Sequence, residues 1–167
     1  NIEAEQQLLG ALLANNKAYE RVSEFLLPQH FADDRHARIY EAIGQFAARN
    51  TVANPVTLKT RFEKDEGLAE IGGAQYLARL ASSVVAVVNA ADYGKIIHDL
   101  YLRRQLIALG NEVVNDAYAV EEDVSAVDHM EATEQKLFEL SRSGSYEGGF
   151  KEFRVALREA IDMAEQA

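Results

Sequence analysis

The chain has 167 residues, of which 48% are hydrophobic, and it contains two prolines, no tryptophan and no cysteine. This composition favours a helical protein over a turn-rich β-sandwich, and it excludes disulfides, thiol nucleophiles and cysteine zinc sites. The formal net charge of −10 argues against nonspecific nucleic-acid binding, which depends on neutralising phosphates with Lys and Arg, although acidity that only confers solubility explains the charge equally well.

No apolar run is long enough to span a bilayer. The most apolar stretch, residues 84–88, is far shorter than the roughly 20 residues that a membrane helix needs. The first residues, Asn1 to Glu5, lack the basic and apolar regions of a signal peptide and have the character of a clipped N-terminus. We therefore expect a cytoplasmic protein without a membrane partner.

Apolar residues recur at helical spacing through the first hundred residues. The predicted helices, in chain order, are Ile2–Ala14, Ala18 to about Leu26, Asp34 to the break at Asn50, Pro55 to a stop at Gly67, and a short helix that Gly72 and Gly73 open. Asp33 or Asp34 is the candidate N-cap of the third helix, and Asn54 that of the fourth. Together these helices predict one compact globule over residues 1–101.

The longest helical pattern begins at Asn89 and continues to about Ala119. An acidic turn follows, and Ser125 with Asp128 starts another helix, so that the two helices can pair as an antiparallel hairpin over residues 102–141. Nine acidic residues between Glu112 and Glu139 face only Lys136, which predicts a solvated, protruding hairpin.

A segment rich in Gly and Ser, residues 142–149, is the predicted flexible linker. Helical periodicity returns over residues 150–167, where Phe153, Leu157 and Ile161 lie on one stripe. Because a tether precedes this helix, its stripe is free to dock on another subunit; folding back onto its own domain is the alternative. The predicted fold is all-α: a helical globule, a protruding antiparallel hairpin and a tethered C-terminal linker helix.

The sequence contains no recognisable catalytic constellation. The nearest approach to a P-loop, Gly144 to Lys151, has Phe150 where the phosphate-binding lysine must stand, and no Gly-x-Ser-x-Gly elbow occurs. His30, His36, His98 and His129 include no pair at the i, i+4 spacing of a helical zinc site. We expect no catalytic, cofactor-binding or metal-binding residue, and we expect these histidines to be surface or hydrogen-bonded helix residues.

Four segments in order carry a family resemblance: Glu3–Gly10, Phe31 with His36–Ile43, Ile71–Leu77, and Asn89 through Tyr93 to Ile107. Their order and spacing resemble the N-terminal domain of DnaB-type replicative DNA helicases, and the similarity extends through Glu134–Phe138. The family usually has Asp where Asn54 stands; Asn caps a helix as Asp does, so little change in fold is expected.

The resemblance implies an assembly role without enzyme activity for this chain. In the family, hairpins pair between subunits, and the dimers form a collar on a hexamer of ATPase domains that uses ATP and Mg²⁺ and encircles single-stranded DNA. The linker helix packs on a neighbouring motor domain, and the collar receives primase and, in some systems, a loader. The implied partners are therefore a second copy of the chain, primase and a helicase loader, with single-stranded DNA held only by the motor.

Candidate interface positions follow from the matched segments and the apolar stripes. They are Glu3, Tyr76, Ile107 and Val114 for a partner protein; Val113, Met130, Leu137 and Phe138 for hairpin pairing; and Phe153, Leu157 and Ile161 for docking of the linker helix. Ordinary core packing is an equally good explanation for Tyr76. The alternative functions are a helical DNA-binding regulator, which would need a basic recognition helix, and a helical enzyme.

Overall fold

The computed structural model describes residues 1–83, 89–144 and 157–166 of the chain. A 3₁₀ turn covers Pro28–His30, and residues 157–165 are helical. The remaining helices are α1 Ile2–Ala14, α2 Ala18–Ser23, α3 Asp34–Ala48, α4 Pro55–Phe62, α5 Glu66–Glu70, α6 Gly73–Ser82, α7 Ala90–Tyr118 and α8 Ala126–Gly144. No strand occurs in these ranges, and the predicted all-α fold is confirmed.

Helix α1 lies at the centre of the core because it is apolar on all sides over its second half. Every residue from Leu8 to Leu13 is buried, and the helix packs against α6, α3 and α2. Ile39 and Ile43 of α3 and Leu77 of α6 are fully buried in the same cluster. Burial of such side chains stabilises a fold by about 1.5–3 kcal/mol each before ordering costs, so this cluster dominates the stability of the globule.

The helix starts follow the capping chemistry that the sequence indicates. Asp33, rather than Asp34, caps α3, and its carboxylate accepts a hydrogen bond from the Arg35 backbone N–H at 2.8 Å. Asn54 caps α4 by accepting from the N–H groups of Val56 and Thr57, so the family's Asp is not needed there. Gly72 and Gly73 open α6 with φ values of +113° and +55°, a region that favours glycine.

Two predicted helix ends are wrong. Helix α2 ends at Ser23 rather than near Leu26, although Leu26 is still buried. Gly67 does not close α4, which ends at Phe62; it lies inside the separate helix α5. Asp65 starts α5 by accepting a hydrogen bond from the Leu68 N–H at 3.1 Å, and burial of Leu68 holds that helix in place.

The chain packs as two units, Asn1–Tyr101 and Leu102–Ala167, and the division falls within α7. The predicted linker over residues 142–149 begins too early, because α8 continues through Gly144. A Cβ at Gly144 would lie 2.9 Å from Leu102 Cδ1, so this glycine permits close approach of the two hairpin helices. The rest of that linker, and the first seven residues of the predicted linker helix, lie outside the described residues.

Candidate protein-interaction surface

The second half of α7 and helix α8 form an antiparallel hairpin. Ser125 and Asp128 close its turn with a reciprocal cap: Ser125 Oγ accepts from the Asp128 N–H, and the Asp128 carboxylate accepts from the Ser125 N–H at 2.9 Å. The Ser125 N–H and the Ser125 hydroxyl both donate to the Asp128 carboxylate, and these hydrogen bonds lower the pKa of Asp128. Farther along, Lys136 of α8 pairs with Glu112 of α7, and this contact raises the pKa of the lysine.

The hairpin has no buried core. Between Leu102 and Gly144, every residue is exposed or only partly buried, although the segment is rich in Leu, Val and Ile. The six apolar hairpin residues that the sequence indicates for partner contact or hairpin pairing are all at least 36% exposed. They are Ile107, Val113, Val114, Met130, Leu137 and Phe138. A surface of this kind marks a site for protein–protein contact.

The structure divides these apolar side chains into two sets. Val113, Met130 and Leu137 line a cavity of about 630 Å³ between α7 and α8, near the turn, which we call the loop-end cleft. A smaller cavity of about 360 Å³ lies at the other end of the hairpin, where Leu102, Leu140 and Gly144 meet. Both cavities are lined mainly by apolar side chains.

The second set lines neither cavity and points elsewhere. On α7, Ile107, Val114 and Tyr118 follow the i, i+7, i+11 spacing of one helix face, and they are 64%, 54% and 85% exposed. On α8, Val127 and Phe138 are 60% and 51% exposed. We call these five residues the outer stripe. It includes Ile107 and Val114, the two hairpin positions that the sequence indicates for partner contact, and Phe138, indicated for pairing.

The other predicted interface residues lie in different environments. Glu3 is exposed in the first turn of α1. Leu157 and Ile161 are each about half exposed on the helix over residues 157–165, and Phe153 lies outside the described residues. Tyr76 is only 9% exposed and belongs to the core cluster, which agrees with the core alternative for that residue.

Tyr76 belongs to a buried polar network that links α6, α3 and α1. Its hydroxyl lies 2.5 Å from His36 Nε2, and His36 Nδ1 lies 2.7 Å from Glu5 Oε2. Glu5 and His36 are 2% and 1% exposed. The Glu5 carboxylate also accepts from the N–H groups of Ala32 and Asp33, and Gln6 donates to the Tyr76 hydroxyl. Burial raises the pKa of Tyr76.

This network has a structural role, because each of its polar atoms is hydrogen-bonded to another member, to Gln6 or to the backbone. It is fully hydrogen-bonded when His36 is neutral with its proton on Nδ1, so that Nε2 accepts from Tyr76. Sequence reasoning missed it because the partners are 31 and 40 residues apart. The available signal was that Glu5, His36 and Tyr76 fall in three of the four segments that carry the family resemblance.

The other histidines are distributed through both units. His30 accepts a hydrogen bond from the Leu27 N–H, and its ring lies 4.8 Å from that of His98 and 4.5 Å from that of Tyr101. His30 and His98 are buried rather than on the surface, whereas His129 lines the loop-end cleft. In the described ranges, no group of three or more His, Asp or Glu residues is arranged to hold a metal ion. No helix there is both long and apolar enough to cross a membrane.

Comparison with known proteins gives consistent matches along the chain. The profile of the DnaB-like helicase N-terminal domain family matches residues 1–99. The chain is 42% identical over 161 residues to the replicative DNA helicase DnaB of Rickettsia conorii. The aligned region covers 96% of this chain and 33% of that protein. The chain is 30% identical over 165 residues to DnaB of Geobacillus stearothermophilus, covering 99% and 36%. The chain thus spans about a third of the length of these relatives.

Solved structures share the fold. The N-terminal domain of DnaB helicase from Mycobacterium tuberculosis is similar with a TM-score of 0.73 and 31% identity, covering 83% of this chain and 96% of that one. A DnaB-like replicative helicase, described together with its interactions with primase, gives a TM-score of 0.66 over 99% of this chain and 37% of that one. At 24% identity, the second likeness supports the fold alone.

Proposed function

The chain belongs to the DnaB-like helicase N-terminal domain family, and from this premise we propose that it is the collar domain of a replicative helicase, which self-associates through its helical hairpin. The family resemblance of the four sequence segments is thereby confirmed. The parts of the relatives that this chain does not match would carry the ATPase motor, its ATP and Mg²⁺, and the contact with single-stranded DNA.

One observation carries the proposal: the hairpin buries none of its described residues, yet it presents the apolar outer stripe to water. A self-complementary contact between two copies is an economical way to cover such a stripe, because the same patch serves both subunits. Burying side chains of this size contributes about 1.5–3 kcal/mol each before ordering costs, so a few of them suffice for a stable pair.

The charges near Ile107 are compatible with pairing. One turn before it on the same face of α7 stand Arg103 and Arg104, and one turn after it stands Asn111. Of the acidic residues of this helix segment, Asp116 lines the loop-end cleft and Glu112 pairs with Lys136. Neither carboxylate lies on the face of α7 that carries Ile107 and Val114, so acidic side chains do not oppose pairing there.

Recruitment of primase is the second part of the proposal. It is supported by the fold shared with a DnaB-like helicase that interacts with primase, and by an apolar surface larger than the hairpin itself can cover. A helicase loader is a further proposed partner, and the bacterial cytoplasm is the proposed location. The DNA-binding alternative gains no support, because residues 102–141 carry nine acidic side chains against Arg103, Arg104 and Lys136.

The test is a charge placed in the outer stripe. We expect Ile107→Glu to weaken self-association or primase binding by at least about tenfold, because it puts a carboxylate into an apolar contact. The helical content of the globule is expected to stay unchanged, since Ile107 is 64% exposed. Sedimentation and a primase pull-down measure the two kinds of binding.

The matched control is Val56→Glu, which adds the same charge at a valine that is 80% exposed on α4. It is expected to leave both kinds of binding as they are in the wild type. If Ile107→Glu also leaves sedimentation and primase capture unchanged, the hairpin is not the interaction surface and the proposal fails.

A further inference from the structure

The loop-end cleft has the size and chemistry of a binding groove. Its volume of about 630 Å³ lies within the range of known ligand sites, which is about 300–1,000 Å³. Its floor is apolar and comes from both helices and the turn, with Val113, Val120, Val124 and Met130 among the lining residues. The cleft belongs entirely to the second unit of the chain.

The rim of this cleft is acidic. Asp116 and Glu134 line it directly, one on each helix. The hairpin over residues 102–141 contains nine acidic residues against Arg103, Arg104 and Lys136, a formal charge of −6 with histidine neutral, and both arginines lie at its far end from the cleft. Lys136 is itself engaged with Glu112, so it does little to neutralise the rest.

We propose that the loop-end cleft binds a basic amphipathic helix of a partner protein. Apolar side chains of that helix would enter the cleft, and its Lys or Arg residues would face Asp116 and Glu134. The inference rests on the recruitment role proposed above and deepens it, by stating the chemistry that the recruited partner must present.

A second copy of the hairpin is a poorer occupant of this cleft. It would bring an equally acidic surface against the rim, and like charges placed together in an interface weaken binding. Nucleic acid meets the same repulsion from its phosphates. Positive charge on the partner removes this penalty and gives attraction in its place.

The dimensions of the cleft fit a helix of about two turns. On α8 its lining residues run from Ala126 to Leu137, eleven residue steps or about 16 Å of helix length. Apolar anchors at i, i+3 or i+4, and i+7 of an incoming helix need about 10 Å, so they fit within this length; this is the usual spacing when a helix binds in a groove. The outer stripe lies on a different face of α7, so it stays available for pairing.

The experiment uses three synthetic helical peptides and the whole chain. The first peptide has a leucine stripe flanked by lysines, the second has glutamate in place of every lysine, and the third contains the residues of the first in scrambled order. Fluorescence anisotropy at physiological salt measures their dissociation constants. We expect the first peptide to bind at least about tenfold more tightly than either of the others.

Two variants locate the binding. The double variant Asp116→Lys, Glu134→Lys reverses the charge of the rim. In this variant we expect the second, glutamate-containing peptide to bind more tightly than the first. Ala117→Trp, which fills the cleft, is expected to raise the dissociation constant of the first peptide by at least about tenfold. Glu41→Lys with Glu63→Lys, both exposed in the first unit, makes the same change in net charge and is expected to leave all three affinities within about twofold.

Three results would overturn the inference. Equal binding of the first and scrambled peptides would mean charge attraction without a groove. If the first peptide still binds more tightly than the second in the rim-reversed variant, the peptides bind elsewhere on the protein. Dissociation of a self-associated chain by the first peptide would make the cleft a pairing surface between copies. Failure of self-association alone leaves these affinities measurable, so the two proposals fail separately.

Discussion

The buried Glu5, His36 and Tyr76 define the globule at the level of single residues. Their hydrogen bonds join α1, α3 and α6, and the Glu5 carboxylate also holds the backbone just before α3. A buried network of this kind stabilises a fold only while all of its polar groups are engaged, because an unpaired member loses its hydration without compensation.

Removing one hydroxyl from this network is expected to be costly. Tyr76→Phe leaves His36 Nε2 and the Gln6 side chain without their common partner, so we expect the free energy of unfolding to fall by about 1–3 kcal/mol. Urea unfolding followed by circular dichroism measures the change. Thr60→Val, which removes an exposed hydroxyl from α4 of the same unit, is the control and is expected to have little effect. Equal stability of the two variants would mean that the network does not support the fold.

Asp33 gives the globule a defined response to acid. The Arg35 side chain, which is hydrogen-bonded to Asp33, lowers the pKa of that carboxyl from 3.8 to about 2. A lowered folded-state pKa stabilises the protein fully above the unfolded value and loses its effect as the pH falls toward the folded value. The contribution should therefore be constant at neutral pH and disappear between about pH 4 and pH 2.

Asp33→Asn isolates this charge effect, because Asn still caps a helix. At pH 7 we expect the variant to be less stable by about 1–2 kcal/mol, a figure reduced for partial solvent screening. The difference should shrink as unfolding is measured at successively lower pH toward pH 2. A difference that stays constant from pH 7 to pH 2 would show that the ion pair with Arg35 does not act through the ionisation of Asp33.

At the level of elements, the sequence predicts helices well where a cap and an apolar stripe agree. Helix α1 and the starts of α3, α4 and α8 follow from local side-chain chemistry that is visible in the chain. Helix α5 could not be predicted in this way, because Gly67 has the local character of a stop. Burial of Leu68 against the globule is a tertiary effect, and it overrides that local preference.

The candidate surface shows the same limit. The sequence predicts a helical hairpin and the apolar positions on it, and in the structure those side chains are exposed. The sequence could not separate the outer stripe from the cleft-lining residues, because that division depends on how α7 and α8 pack against each other. Nor could it bring together Glu5, His36 and Tyr76, whose contacts exist only after three distant segments have packed.

The turn of the hairpin is an element that can be tested separately. Ser125→Ala removes the oxygen that accepts from the Asp128 N–H, so the first turn of α8 loses one side of its cap. We expect amide hydrogen exchange in that turn to accelerate by about fivefold, the factor corresponding to a cap worth about 1 kcal/mol. Ser141→Ala is the control, since that hydroxyl donates only to the Phe138 carbonyl within the helix. Equal acceleration in both variants would count against the cap.

For the whole molecule, the two units differ in how they satisfy the hydrophobic effect. The first encloses most of its leucines in one core with several isoleucine and aromatic residues, whereas the described hairpin of the second fully buries none of its residues. A unit of the second kind gains stability from association more than from its own packing. This contrast connects the fold to the proposed role in assembly and recruitment.

Sedimentation equilibrium of the whole chain, from about 1 to about 500 µM, tests the central claim most directly. If the hairpin pairs with a second copy, the average mass will rise with concentration from the monomer value of 18.5 kDa to at least twice that value. A mass of 18.5 kDa at every concentration, with the helices intact, would contradict self-association through this surface.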